Sequence, residues 1–170
     1  MPQSNDVKIR KTVFQDLEAV NAILNDAIAN TNAYLSSRQK SMKDTEDWFR
    51  QHDTSIGYFA FSAEMGHLVA GWACVSPFRS IDGFAPTAEV SVYVDVLHRG
   101  KGIAGKLLEA LENEARRRSF HNLISFITID NETSLHLHRK HGFEVQGTLK
   151  QVALKSGQYL DVVVMAKLLG

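Results

Sequence analysis

The chain has little of what marks an exported, membrane-bound or nucleic-acid-binding protein. A single cysteine, Cys74, stands among its 170 residues, so no internal disulfide is available. Cys74 lies inside the apolar run Leu68–Val75 and reads as a buried core thiol rather than a nucleophile. No apolar run approaches the ~18 residues of a membrane-crossing helix. The start, Met1-Pro2-Gln3-Ser4-Asn5-Asp6, lacks the basic-then-apolar layout of an export signal. Lysine plus arginine number 19, as do aspartate plus glutamate, so no basic field exists to attract nucleic acid. No internal repeat or low-complexity tract appears. The expectation is one soluble, cytoplasmic-type domain over residues 1–170, with its core from about 7 to 168.

What the chain does have is a glycine-rich turn past its middle, Val92-Tyr93-Val94-Asp95-Val96-Leu97-His98-Arg99-Gly100-Lys101-Gly102-Ile103-Ala104-Gly105-Lys106-Leu107-Leu108. It reads as a strand, a tight turn and a helix start. Glycines let backbone come close to a ligand, and free N–H groups at a helix start favour negative charge, so a phosphorylated ligand is expected. Three patterns overlap here. Gly100, Gly102 and Gly105 spell the dinucleotide fingerprint, but too little chain follows to build the parallel sheet it belongs to. Gly100 through Lys106 opens like a nucleotide-triphosphate loop, but Leu107 has no hydroxyl for Mg²⁺. Arg99, Gly102 and Ala104 supply the third, R/Q-x-x-G-x-G/A.

Hydrophobic periodicity gives the surrounding elements. Val7–Arg10 alternates like a strand. Leu17, Val20, Ile23, Leu24, Ala27 and Ile28 recur at helical spacing from Phe14 to Ala29, with Asp16 and Glu18 in the first turn. A second, short helix is expected from Asp44. Gly57–Ala63 and Leu68–Val75 read as a hairpin. Thr87–Val94 is the central strand, and the next helix runs to about Arg118. Leu123–Ile129 is a buried-type strand, parallel to the one before if the helix crosses over. Asn131 or Thr133 can cap a further helix closed by Gly142. Phe143–Leu154 and Tyr159–Leu168 form a final hairpin turned at Ser156-Gly157. The order is β-α-α-β-β-β-α-β-α-β-β.

With the glycine turn, Ser134-Leu135-His136-Leu137-His138-Arg139-Lys140-His141-Gly142-Phe143 looks like the second signature of the GCN5-related N-acetyltransferase (GNAT) superfamily, S-x-x-L-(Y/H)-x-x-x-G-F. The element order is also that of the superfamily. Within it, Arg79-Ser80-Ile81-Asp82-Gly83-Phe84, Glu89–Val94, Phe143–Leu149 and Tyr159-Leu160-Asp161 resemble the phosphinothricin and methionine sulfoximine acetyltransferase group. The resemblance spans about Ile9 to Leu168. It implies an α/β fold with a mixed sheet of about six to seven strands, a splayed central parallel pair and about four flanking helices. It also implies acetyl transfer from acetyl-coenzyme A to the amine of a small amino-acid-like acceptor, and a homodimer. Leu35 and the run Ser156-Gly157-Gln158-Tyr159 depart from the aromatic residues common in that group.

The resemblance carries roles to particular residues. Arg99, Gly100, Lys101, Gly102, Ile103, Ala104 and Gly105 would hold the pyrophosphate of the coenzyme. The backbone of Val92, Tyr93 and Val94 would pair with its pantetheine arm, and Asn131 would contact it, cap a helix, or do both. Glu89 is the candidate general base, since an ammonium must lose a proton before its nitrogen attacks a thioester. Strand alternation sets Glu89, Ser91 and Tyr93 on one face and Val90, Val92 and Val94 on the other. His138 stands where many members carry a tyrosine acid; here it either assists catalysis or packs in its helix. Arg38, Phe78, Arg79 and Tyr159 fall in segments that line the acceptor pocket in the family. His136, His138 and His141 do not compose a metal set, because residues two apart on a helix diverge. A protein N-terminus or another amine as acceptor, or coenzyme binding without catalysis, remains as an alternative.

Overall fold

The computed structural model describes residues 6–52 and 57–170. Met1–Asn5, read above for the absence of an export signal, lie outside the described residues. The elements are β1 (Val7–Lys11), α1 (Leu17–Asn30), α2 (Met42–Gln51), β2 (Phe59–Met65), β3 (Leu68–Pro77), β4 (Thr87–Val94), α3 (Ile103–Arg117), β5 (Asn122–Thr128), α4 (Glu132–Lys140), β6 (Glu144–Lys155) and β7 (Gln158–Leu168). This is the expected order.

The strands form one seven-stranded sheet in the order β1-β2-β3-β4-β5-β7-β6. Every neighbouring pair is antiparallel except β4 and β5, which α3 joins as a parallel crossover. That parallel pairing spans only Thr87–Glu89 against Asn122–Ile124. Beyond it, Val90–Val94 stay bonded to β3 on one side and leave β5 on the other. The expected splay is present.

Alternation along the central strands decides what covers each face. Ala73, Val75, Ala88 and Val90 meet Leu107, Leu108, Leu111 and Ala115 of α3 in the larger core. Ala60, Trp72 and Cys74 point to the opposite face and meet Val20 and Ile23 of α1. Gly71 is required where β3 crosses β4, because a Cβ there would stand 2.9 Å from the Tyr93 carbonyl oxygen. Among the described residues no helix is long and apolar enough to cross a membrane.

Several boundaries differ from the sequence reading, each for a local reason. Phe14–Asp16 form a 3₁₀ turn ahead of α1. Asp16 does not serve the helix dipole from the surface; it is buried, and its carboxylate accepts from Arg10 at 2.7 and 2.8 Å, Val13 N–H at 2.9 Å and Ser62 Oγ at 3.0 Å. The second helix begins earlier than Asp44, because Ser41 and Asp44 make a capping box: Asp44 N–H donates to Ser41 Oγ at 3.1 Å and Ser41 N–H to Asp44 Oδ2 at 2.8 Å. Strand β2 starts at Phe59 rather than Gly57, whose φ of +98° is off the strand region. Asn131, not Thr133, caps α4, with Oδ1 accepting from Ser134 N–H at 3.2 Å.

Burial works against charge on Asp16, yet the Arg10, Val13 and Ser62 hydrogen bonds outweigh it and hold the carboxyl below the usual carboxylate range. A depressed folded-state pKa contributes stability above the unfolded value and loses it as pH falls through the folded one. Asp16→Ala is expected to cost about 3 kcal/mol at neutral pH, the low end for breaking a buried ion pair, since Arg10 keeps Glu64 as a partner. Urea unfolding of both chains at pH 7 and pH 3 checks this: the gap should narrow in acid.

Candidate active site

Where β4 and β5 part, Val92, Tyr93 and Val94 turn backbone groups toward a gap instead of a neighbouring strand. The gap opens into a cleft of about 730 Å³, and its far end is the glycine turn. Gly100 and Gly102 have φ of +76° and +75°, and among the described residues no atom beyond their chain neighbours lies within 4 Å of where their Cβ atoms would be. This left-handed backbone suits glycine and presents the start of α3 to the cleft. The first α-type bond of the helix runs from Lys106 N–H to Gly102 O, so the N–H groups of Ile103, Ala104 and Gly105 have no partner within the helix. Ile103 Cβ faces the core, while the backbone faces the cleft.

Arg99 spans the cleft mouth: its guanidinium reaches Asp26 of α1 at 3.8 Å and Val94 O at 3.4 Å. Gly100, Gly102, Ile103, Ala104, Gly105 and Asn131 line the cleft with it. Lys101 is exposed and does not line it. Gly105 is held close from behind, where a Cβ would meet His141 Nε2 at 3.2 Å.

Two smaller cavities adjoin the cleft. One, of about 320 Å³, continues the gap and reaches Ser125, Asn131 and His138. The other, of about 380 Å³, lies under α2 and is walled by Trp48, Trp72, Cys74 and Ser91. Glu89 lines both, as do Ser91 and Tyr93. Glu89 is half-buried, and that burial alone raises its pKa above the usual carboxylate range. The Cys74 thiol is buried and pushed up to about 12, chiefly by desolvation, which excludes it as a ready nucleophile.

His138 is buried on α4, and its Nδ1 lies 2.8 Å from Ser134 O. A carbonyl only accepts, so Nδ1 carries the proton. Burial lowers the pKa of the ring, which leaves it neutral with a bare Nε2 that has no partner among the described residues. His136 is exposed on the opposite side of the helix. Among the described residues no three His, Cys, Asp or Glu side chains are grouped as metal ligands.

The expected acceptor residues are not gathered on these cavity walls. Arg38 is exposed and pairs with Asp44 at 3.6 Å. Phe78 stacks on Phe126, 6.3 Å between centroids, and the Arg79 guanidinium lies over the Phe78 ring at 5.9 Å. Phe126 lines the 320 Å³ cavity, so Phe78 stands one ring behind that wall. Tyr159 is exposed at the start of β7. The residue that sequence reading missed is Lys155. Its ammonium is buried with no carboxylate partner among the described residues and donates to Thr31 O at 2.5 Å and Tyr34 O at 2.7 Å. Both carbonyls belong to the loop that follows α1, and Thr31 caps the negative end of that helix. Ala33 of this loop lines the cleft and Tyr34 lines both smaller cavities. A lysine at a hairpin turn gives no hint in sequence that it reaches back across the chain.

Comparison with known proteins places this geometry. The model of the acetyltransferase (GNAT) family matches residues 22–143. The chain belongs to that family. It is 36% identical over 150 residues to the L-methionine sulfoximine/L-methionine sulfone acetyltransferase of Salmonella typhimurium, covering 88% of this chain and 87% of that one. The phosphinothricin acetyltransferase of Sinorhizobium meliloti, solved in complex with acetyl-coenzyme A, superposes with a TM-score of 0.92 at 30% identity, covering 96% of this chain and 89% of that one. A ribosomal-protein-alanine N-acetyltransferase structure from Brucella melitensis gives a TM-score of 0.92 at 40% identity, covering 95% and 99%. The GNAT fold inferred from the two signatures is therefore the fold observed.

Lys155→Met keeps the length of the stem and removes both donations to the 31–34 loop. Hydrogen bonds from a charged donor contribute about 1.5–3 kcal/mol. Amide exchange in that loop should accelerate at least about tenfold, while protection in α3 and β5 stays as it was. Unchanged loop protection would show that other contacts hold it.

Proposed function

We propose that the protein transfers acetyl from acetyl-coenzyme A to the primary amine of a small amino-acid-like acceptor, such as methionine sulfoximine or phosphinothricin, by direct transfer in a ternary complex. The observation that carries this reading is Glu89: a half-buried carboxylate, raised in pKa, on the wall shared by the two smaller cavities. The relatives named for methionine sulfoximine and phosphinothricin support the acceptor class.

The cleft fits the coenzyme. The open, glycine-lined start of α3 is a cradle for the pyrophosphate, with unpaired N–H groups and Arg99 beside it. Lys101 adds positive charge from outside the cleft. The free edge of Val92, Tyr93 and Val94 offers an extended amide chain the hydrogen bonds that β5 does not take. Asn131 lines the cleft while its Oδ1 caps α4, so its amide NH₂ is left for the ligand. The co-substrate supplies an activated acetyl group as a thioester.

Glu89 takes one proton from the acceptor ammonium. The freed nitrogen forms the C–N bond to the acetyl carbon as the C–S bond breaks. The second nitrogen-bound proton passes to the departing sulfur, so the products are the acetamide and the free thiol. A β4 N–H at the splay polarises the acetyl oxygen as charge grows on it. His138, neutral with a bare Nε2, has no proton to give in this tautomer and serves as a hydrogen-bond acceptor on the cavity wall. This reading moves it from the acid role that the resemblance suggested.

Arg38, Phe78, Arg79 and Tyr159 act from outside these walls: Phe78 stacks on Phe126, and Arg38, Arg79 and Tyr159 are exposed on the protein surface. The protein works as a homodimer, supported by the exposed apolar side chains Val145, Leu149, Val152 and Leu154 on edge strand β6. It works in the cytoplasm, where acetyl-coenzyme A is made available.

The Brucella structure, by its name, favours a protein terminus as acceptor, and one assay separates the two. Thiol release is measured with methionine sulfoximine, methionine sulfone, phosphinothricin and an alanine-ended peptide. Turnover of a small amine supports the proposal; turnover of the peptide alone overturns it. Glu89→Gln should lower kcat/KM about 10²–10⁴-fold. Its stability should move the other way. A raised folded-state pKa means ionising Glu89 weakens the fold as pH rises past the unfolded value, so the glutamine protein should melt at the same or a higher temperature at pH 7.

A further inference from the structure

Lys155 is buried at the end of β6 on the wall of the cleft, and among the described residues no carboxylate neutralises it. An ammonium taken out of water is costly unless its donors are used. Two of its three N–H groups go to the Thr31 and Tyr34 carbonyls, three residues apart in the loop after α1. The loop has a second tie on its outer side, where Asn32 Nδ2 donates to Asp130 Oδ2 at 2.7 Å. After Tyr34, the next backbone bond from this loop to another element is at Lys40, whose N–H donates to Asn25 Oδ1 at 2.7 Å. In between, the Arg38 N–H reaches only Ser36 Oγ, within the loop itself. Lys155 is thus the last backbone anchor ahead of residues 35–39.

Position connects this anchor to the reaction proposed above, on which the inference rests. Thr31, Asn32 and Ala33 line the coenzyme cleft, whereas Tyr34 lines the two smaller cavities together with Glu89. The Tyr34 ring lies 6.4 Å from that of Tyr93, which lines the same two cavities. One ammonium therefore fixes the coenzyme-side wall and the wall beside Glu89 relative to each other. The phosphate cradle does not depend on it: Arg99 reaches Asp26 and Val94 O, and the start of α3 bonds within its own helix. Loss of the ammonium leaves the cradle and frees Tyr34. Direct transfer is sensitive to such a change, since a shift of about 1 Å between reacting groups can cost about 10²-fold in rate.

We infer that Lys155 is a positioning residue for the transfer: by holding the Thr31 and Tyr34 carbonyls it sets the Tyr34 wall beside Glu89 and aligns the acceptor amine with the thioester, without contributing to coenzyme affinity.

The test compares wild type with Lys155→Met. It measures kcat and KM for methionine sulfoximine, methionine sulfone and phosphinothricin, and the Kd of coenzyme A by calorimetry. For the amine that wild type turns over fastest, the variant should lose about 10–100-fold in kcat/KM. Part of that loss should be a rise of about threefold or more in the acceptor KM, while the Kd of coenzyme A stays within about twofold. A chain that only folds less well loses kcat in proportion to its inactive fraction and keeps its KM, so it does not give this split. Unchanged acceptor constants would overturn the inference. So would a loss confined to kcat, or coenzyme binding weakened as much as acceptor use. If Lys155→Met does not fold, amide exchange in the wild-type chain decides: adding methionine sulfone to the coenzyme A complex should slow exchange from Tyr34 to Ser37 by about threefold or more. No slowing there would overturn the inference as well. Wild-type silence with all three amines, while coenzyme A raises the melting temperature, would instead remove the acceptor reading on which the inference rests. Wild-type turnover without the split removes only the role of Lys155.

Discussion

Two parallel strands that stop pairing early are the constraint on which the site depends. β4 and β5 bond over Thr87–Glu89 and Asn122–Ile124 and then separate. Backbone N–H and C=O groups in a sheet centre normally consume one another. Here Val92–Val94 keep theirs on the β5 side, in the middle of the sheet, while β3 pairs with them on the other. That opening gives a cleft with hydrogen-bonding walls. Glu89 stands at the last paired position, where the strands begin to part. The base and the opening are set by the same register.

The rest of the sheet keeps the opening in place. On one face, α3 fills the core with Leu107, Leu108 and Leu111 and delivers its own start to the cleft. On the other, α1 and α2 cover Trp72 and Cys74 and leave the cavity between them. Buried charges are placed where they bind one element to another. Asp16 ties the chain after β1 to Arg10 and Ser62. Lys167 Nζ reaches Glu112 Oε2 at 2.6 Å and joins β7 to the back of α3. Lys155 ties the end of β6 to the loop after α1. Glu89 differs from these: burial acts on it without a compensating cation, so its proton affinity remains free for chemistry.

How much of this the chain showed in advance depends on the range of the interaction. The glycine turn was legible because Gly100 and Gly102 need a backbone region that side chains disfavour, and that need is written at the position itself. The α3 face was legible because helical periodicity repeats over four turns. The start of α2 was misplaced since a Ser-x-x-Asp box needs both partners to be weighed together. Asp16 looked like a first-turn acid, because its partner Ser62 is remote in sequence. The stacking of Phe78 on Phe126 was not legible either, because the two rings are remote in sequence. Tautomer assignment at His138 required the Ser134 carbonyl, which no side-chain pattern reveals.

Sequence alone determined the element order, the glycine turn, the strand alternation that turns Glu89 away from the α3 core, and the burial of Cys74. Each follows from local conformational preference or from a period of two or 3.6 residues. Only the tertiary structure decided where the parallel pairing ends, which loop Lys155 holds, and that the cavities meet at Glu89. Those facts depend on pairs of groups far apart in the chain, and no local preference encodes which distant carbonyl a buried ammonium will find.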